Sequence, residues 1–176
     1  MSNELLLISP AKDHENQALE YIQEHLLIGE TVLHGSSLLE KMNTYDNWLE
    51  HLEKTNNPLT ADSSWVPAST FFAIRKPDGK IVGIIDIRHR LNDFLKEFGG
   101  HIGYGVRPSE RHKGYATEIL RLGLKYCATI NLVNVMLACN KDNIASEKTI
   151  VNNGGKLEKE FEYKDGKTVR VFWIVL

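Results

Sequence analysis

Apolar positions change their period several times along the chain, and each change marks an element. "ELLLIS" is a short apolar run that reads as a first strand. "SPAKDHENQALEYIQEHLL" then places Ala18, Tyr21, Ile22, His25 and Leu26 at spacings of three and four, a helix with one partly apolar face. Ser9 is its candidate N-cap and Pro10 sits in the first turn. "GETVLHGSS" is a loop. The next helical region breaks near "MNTYDNWLEHLEK", where Thr44 or Asp46 caps a new turn. "TNNPLTADSSWVPAS" is a polar, proline-containing loop and the segment expected to be most mobile.

The pattern then turns to strands. "TFFAIRKPDGKIVGIIDIRHRL" has two β-rich runs around "KPDGK", a hairpin. "NDFLKEFGG" is a short helical turn ending on glycines, and "HIGYGVRP" is a strand with two glycines. In "GYATEILRLGLKYCATIN", Ala116, Ile119, Leu120, Gly123, Leu124 and Cys127 share one helix face. "LVNVMLACN" is a continuous apolar strand, expected to be buried on both faces. "NIASEKTIVNNGG" is a helix closing on Asn153 and Gly154, and a second hairpin, "KLEKEFEY" and "TVRVFWIVL" around "KDGK", ends the chain. The order predicts an α/β (α+β) domain spanning 1–176, with a mixed sheet. The βαβ unit made by "HIGYGVRP", its helix and "LVNVMLACN" should hold two parallel strands.

Composition narrows the function. Hydrophobic residues at 42% and charged residues at 25% suit one soluble globular domain, and 176 residues can bury a sizeable core. A net charge of −2 argues against general nucleic-acid binding but leaves room for a local basic site. The two cysteines, Cys127 and Cys139, lack metal or redox spacing and read as buried thiols. No apolar run approaches a membrane span, and "LLLI" has no basic flank or length for a secretory signal. A cytoplasmic protein without a membrane or nucleic-acid partner is expected.

The stretch "GYGVRPSERHKGYATEIL", 103–120, carries the candidate chemistry. It brings a strand end, a basic loop and a helix N-terminus together. Unpaired N–H groups at a helix start attract phosphate. Gly114 lets the backbone approach a ligand, and Arg111, His112 and Lys113 add charge. It is neither a Walker P-loop nor a Rossmann turn. From the loop alone, a pyrophosphate site and a solvent-facing basic turn stand equal.

"RHKGYA", after the strand ending in "VRPSE", resembles the acetyl-CoA motif Arg/Gln-x-x-Gly-x-Gly/Ala of the GNAT superfamily of N-acetyltransferases. "NIASEKTIVNNGG" resembles the family's Asn-x-x-Ser/Ala helix, and the element order matches the family fold along almost the whole chain. The stretch "RHRLNDFLKEFGGHIGYGVRPSERHKGYA" is similar to a group of bacterial acetyltransferases without an assigned substrate. The resemblance implies a mostly antiparallel sheet with a central splayed parallel pair and helices on both faces. It implies acetyl-CoA as cosubstrate, no metal, and direct transfer to a primary amine on a small molecule or a protein. A CoA-binding sensor with little catalysis is the alternative.

The resemblance also assigns positions. Gly105, Val106 and Arg107 match the end of the splayed strand, where a β-bulge and the pantetheine arm are expected. A backbone N–H near Val106 is the candidate for stabilising the thioester oxyanion. The amides of Arg111, His112, Lys113, Gly114, Tyr115 and Ala116 would hold the pyrophosphate. Asn143 would bond the pantetheine arm, with Ser146 nearby. The family's usual proton-donating tyrosine falls on Ile150, a departure that leaves the general acid open. Tyr104 is a candidate acid and His101 a candidate base. Against these stand a half-buried strand tyrosine and a histidine satisfied by backbone. Asp86, in an apolar strand, needs a partner such as Arg88, or a catalytic role. Cys139 reads as a small core residue and Trp48 as helix core. Glu30, His34 and Trp65 mark loops that would shape the acceptor side. The terminal "VFWIVL" suits either pairing between two subunits in a homodimer or burial in its own sheet.

Overall fold

The computed structural model describes residues 4–59 and 65–176; the middle of the proline-containing loop, 60–64, lies outside the described residues. Strand β1 (Leu5–Ile8) leads through a 3-10 turn into helix α1 (Glu15–Leu27). The expected cap at Ser9 does not form. Ala11 is extended and its N–H donates to His14 Nδ1 at 3.0 Å, so the first turn begins at Lys12. Helix α2 (Tyr45–Asn56) is capped by Thr44, whose Oγ1 accepts from Asn47 N at 3.1 Å. Strands β2 (Ala68–Arg75) and β3 (Lys80–Arg88) form the first hairpin. A π-type turn, Leu95–Gly99, precedes β4 (Ile102–Val106). Helix α3 (Tyr115–Thr129), β5 (Asn134–Asn140), α4 (Ile144–Asn152), β6 (Lys156–Glu162) and β7 (Thr168–Val175) complete the chain.

Two antiparallel sheets result, in the orders β1-β2-β3-β4 and β5-β7-β6. The expected parallel ladder between β4 and β5 is not formed. The two strands meet beside His101, whose N–H donates to Met136 O at 2.8 Å while Met136 N donates to His101 Nδ1 at 2.9 Å. The bulge expected near Gly105–Arg107 is also elsewhere. The β3–β4 register runs unbroken from Ile102 to Val106, and the shift lies one strand away, where Ala73 pairs Gly83 but Ile74 pairs Ile81. A bulge adds one residue and turns the side chains beyond it to the other face. Here it leaves Val82 and Gly83 both toward α3.

The β3 alternation then splits the core. Ile81 and Ile84 join Tyr21, Trp48 and Phe72 under α1 and α2. Val82, Ile85 and Ile87 join Ile119, Leu120 and Leu124 under α3. Helices therefore cover both faces of the first sheet. A side chain at Gly83 would come within 2.5 Å of Ile119 Cδ1, so glycine there lets α3 sit close. The run "VFWIVL" is explained within the chain: β7 is the middle strand of its sheet, and Val171, Phe172 and Ile174 are buried. It no longer argues for a dimer. No helix among the described residues is long and apolar enough to cross a membrane.

Candidate active site

Between β4 and α3 the chain passes through a 3-10 turn, Pro108–Glu110, and then the basic loop. His112 and Gly114 both adopt positive φ, 62° and 83°. A Cβ at Gly114 would meet nothing, so its glycine answers the backbone turn and not crowding. The N–H groups of His112, Lys113, Gly114, Tyr115 and Ala116 find no acceptor among the described residues. Five unpaired donors at the start of a 15-residue helix suit an anion. Arg111 departs from the group, because its N–H donates to Pro108 O at 3.3 Å.

The basic side chains are committed elsewhere. Arg111 makes a bidentate pair with Glu30, at 2.8 and 2.7 Å, and its Nε reaches Val106 O at 3.3 Å. Glu30 also meets His25 Nδ1 at 2.7 Å. The Arg111 bonds, opposed by burial and helped by His25, bring the Glu30 carboxyl down to about 2. Lys113 donates to Glu110 at 2.8 Å. Arg107, expected to face the cosubstrate, is buried: it donates to Ile81 O at 2.7 Å, Glu24 at 2.8 Å and Gln17 O at 3.1 Å. Its side chain braces α1 against β3. His112 is exposed. Tyr115 receives a bond from Arg75 at 3.3 Å, while Ala116 is partly buried. The loop's charge is thus carried by residues locked to carboxylates, and its amides remain open.

Strand β4 offers a second set of open groups. Arg107 N donates to Val82 O and Arg88 N donates to His101 O, both at 2.8 Å, which fixes the phase of the ladder. Gly103 and Gly105 therefore bond β3, and the N–H groups of Tyr104 and Val106 point away from it, with no ladder partner. Lys141 N bonding Thr168 O sets β5 the same way, so Ala138 turns its N–H and C=O away from β7.

Tyr104 extends to α4, where its hydroxyl lies 3.0 Å from Ser146 Oγ. Burial pushes it up to about 12, although Ser146 and Thr149 bonds oppose the rise. Asn143 caps α4, its Oδ1 accepting from Ser146 N at 3.1 Å. Ile150, at the position of the family's usual tyrosine, is buried in the core and offers no hydroxyl. Cys139 is buried too, with its thiol pushed up to about 11 by burial.

His101 does not fit the role of a base. Its Nδ1 lone pair is taken by Met136 N, and burial, with Arg88 nearby, lowers it to about 4. The unfolded chain takes up a proton near pH 6.5 and the folded chain only near 4, so the neutral folded form is favoured in that window. Stability is then expected to fall by up to about 3 kcal/mol as pH drops from 6.5 to 4. His101→Asn, which keeps an acceptor for Met136 N, should remove that part of the slope in melting curves recorded between pH 7 and 4.5.

The α1–α2 loop lies on the other face of β4. A Cβ at Gly105 would be 2.8 Å from His34 O, and one at Gly35 would be 2.6 Å from Gly103 O. Glu40 holds this loop by accepting from Leu33 N and Ser36 Oγ, and Trp48 Nε1 donates to Ser36 O at 2.9 Å. Gly35→Ala meets both that clash and a φ of 76°, and is expected to cost about 2–3 kcal/mol, read as a lower urea midpoint. Beside the loop is a cavity of about 380 Å³ lined by His34, Trp65, Asp86, Arg88 and Phe94 among others. Two of the three acceptor-side residues chosen from sequence, His34 and Trp65, reach it, whereas Glu30 faces Arg111. A larger open groove of about 740 Å³ runs between α2 and the turn after β1, away from β4. Sequence reasoning missed Glu24, Glu110 and the pairing of Asp86 with Thr70; the first two meet partners distant in the chain, and the last depends on a register shift between Ala73 and Ile74.

No protein of curated function matches the chain. Among solved structures, a RimL ribosomal L7/L12 alpha-N-protein acetyltransferase in complex with coenzyme A is similar at 16% identity and TM-score 0.70, covering 99% of this chain and 96% of that one. A ribosomal-protein-S5-alanine acetyltransferase from Vibrio fischeri is similar at 16% identity and TM-score 0.70, over 99% and 94%. The microcin C7 self-immunity acetyltransferase MccE, in complex with acetyl-CoA and AMP, is similar at 18% identity and TM-score 0.67, over 99% and 94%. The model of the acetyltransferase (GNAT) domain matches residues 13–156, most of the chain, and the protein belongs to that family.

Proposed function

We propose that the protein transfers the acetyl group of acetyl-CoA directly to a primary amine. The observation that carries this is the run of open donors from the β4 edge to the start of α3. The amides of His112–Ala116 suit a pyrophosphate, and those of Tyr104 and Val106 suit the pantetheine arm and the thioester oxygen. In this reading β4 and β5 run parallel and part beyond His101 and Met136, and the arm enters between them. Asn143 and Ser146 lie at the far wall of that gap. Arg111 and Lys113 contribute backbone and field, since their side chains are held by Glu30 and Glu110.

The amine nitrogen forms its bond to the acetyl carbon as the bond to sulfur breaks. The nitrogen loses a proton and the thiolate gains one. Tyr104 is protonated over the working range and points at α4, which makes it the proton donor to sulfur in place of the tyrosine missing at Ile150. That substitution favours catalysis over the sensor reading. The RimL and S5-alanine enzymes act on proteins, so a protein N-terminal amine and a small-molecule amine both belong in the assay. The test is acetyl-CoA turnover against a panel of both kinds, followed by thiol release and by the mass of the product. A gain of one acetyl group on an amine supports the proposal. Binding of acetyl-CoA without turnover on any amine would favour the sensor.

A further inference from the structure

Asp86 and Glu110 are the two buried carboxylates among the described residues, and they are met differently. Asp86 is 5% exposed, near the C-terminal end of β3, and lines the cavity beside the α1–α2 loop. Thr70 Oγ1 donates to its Oδ1 at 2.8 Å. Its Oδ2 accepts no hydrogen bond among the described residues; Arg88 Nε lies 3.6 Å away and spends its Nη1 on the carbonyls of Gly99 and Gly100. Compare Glu110, equally buried, which takes bonds of 2.8 Å from three cations. A buried carboxylate with one oxygen left open is costly unless something arrives to meet it.

Its position matters as much. Asp86 pairs Gly103 in the β3–β4 register, and neighbouring strands lie about 4.8 Å apart. Asp86 therefore lies across from Gly103, the neighbour of the Tyr104 amide that faces away from β3, and its side chain is on the face opposite the Tyr104 ring. The mouth of the cavity is apolar: Trp65 is 44% exposed and Phe94 57%. Its charges are Asp86, Glu40, Arg88 and Lys41, and Glu40 is already used by Leu33 N and Ser36 Oγ. Asp86 is then the one carboxylate of the described lining left for a cation, enough for one ammonium and, with Arg88 and Lys41 nearby, too little for several.

We propose that Asp86 receives the acceptor as a single primary ammonium on its Oδ2, with an adjoining apolar or aromatic group between Trp65 and Phe94. The site thus selects hydrophobic monoamines, including amines at an apolar peptide N-terminus, over polyamines. Burial pushes the Asp86 carboxyl up, against Arg88 and Thr70, and an ammonium restores its charged form. This inference rests on the acetyl-transfer reading, and its test is separable from that one.

Calorimetry on the CoA-saturated protein would compare 2-phenylethylamine, 2-phenylethanol and putrescine. The amine should bind at least about tenfold tighter than either of the others, the margin of one charge-assisted hydrogen bond. Asp86→Asn should reduce the amine to the level of the alcohol while leaving the melting shift given by CoA unchanged. Phe94→Ala, at an exposed position, should weaken amine and alcohol alike. If Asp86→Asn does not fold, the amine-over-alcohol margin in the unaltered protein and the Phe94→Ala result decide. Equal binding of amine and alcohol, no saturable amine binding, or an amine preference that survives Asp86→Asn overturns the assignment. Failure of CoA itself to bind would strike the acetyl-transfer reading instead.

Discussion

Glu110→Ala is expected to lower stability by about 3 kcal/mol, or about 10 °C in melting temperature. Glu110 is buried between the β2–β3 hairpin and the start of α3, and accepts from Arg75, Lys80 and Lys113 at 2.8 Å each. Burial alone would raise its carboxyl, but the three bonds bring it down to about 2. The unfolded value lies near 4.5, so the folded state gains from ionisation above that pH. The gain is lost as pH falls from about 4.5 toward 2. The wild type should show this loss in acid titrations followed by circular dichroism, and Glu110→Ala should not. Arg75 also reaches Tyr115, and Lys113 sits in the loop, so the variant should weaken acetyl-CoA binding as well. A variant with unchanged stability at neutral pH would show that the cost of burying the Glu110 carboxylate offsets its three ion pairs.

Tyr104→Phe should lower kcat by about 10²–10³-fold while changing acetyl-CoA affinity little, since proton transfer typically contributes on that order. Only the hydroxyl is removed, and the ring packs against the core beneath α3. Because burial holds that hydroxyl up to about 12, the wild-type rate should not fall on the alkaline side through loss of this proton until near that pH. Ser146→Ala keeps the donor and removes only its neighbour, so its effect should be smaller. Stopped-flow thiol release with a good acceptor separates the chemical step from binding. A Tyr104→Phe enzyme as fast as the wild type would leave water, or another group, as the acid.

The elements were legible because their signals are local. The face of α3 from Ile119 to Cys127, the Thr44 cap, the glycine turn at Gly114 and the close of α4 at Asn153 and Gly154 each depend on neighbours within a few residues. The side-chain fates of the motif were not legible for the opposite reason. Arg107 finds Glu24 and Arg111 finds Glu30, partners more than 80 residues earlier in the chain. A local reading gives both arginines to the ligand; the fold gives them to α1 and its following loop. The bulge at Val82 and Gly83 carried no sequence mark, and without it the Thr70–Asp86 pair falls one residue out of register. The βαβ rule foresaw neighbouring strands but not that β4 and β5 would keep their edges open, which is the feature the proposed site needs.

The most direct test of acetyl-CoA use is thermal melting with acetyl-CoA, CoA and ATP at matched concentrations, since a ligand that binds only the folded state raises its melting temperature. A clear rise with acetyl-CoA and CoA, and little with ATP, is expected if the open amides of His112–Ala116 and the β4 edge hold pyrophosphate and pantetheine together. No rise at saturating acetyl-CoA would contradict the account and return the loop to a solvent-facing basic turn.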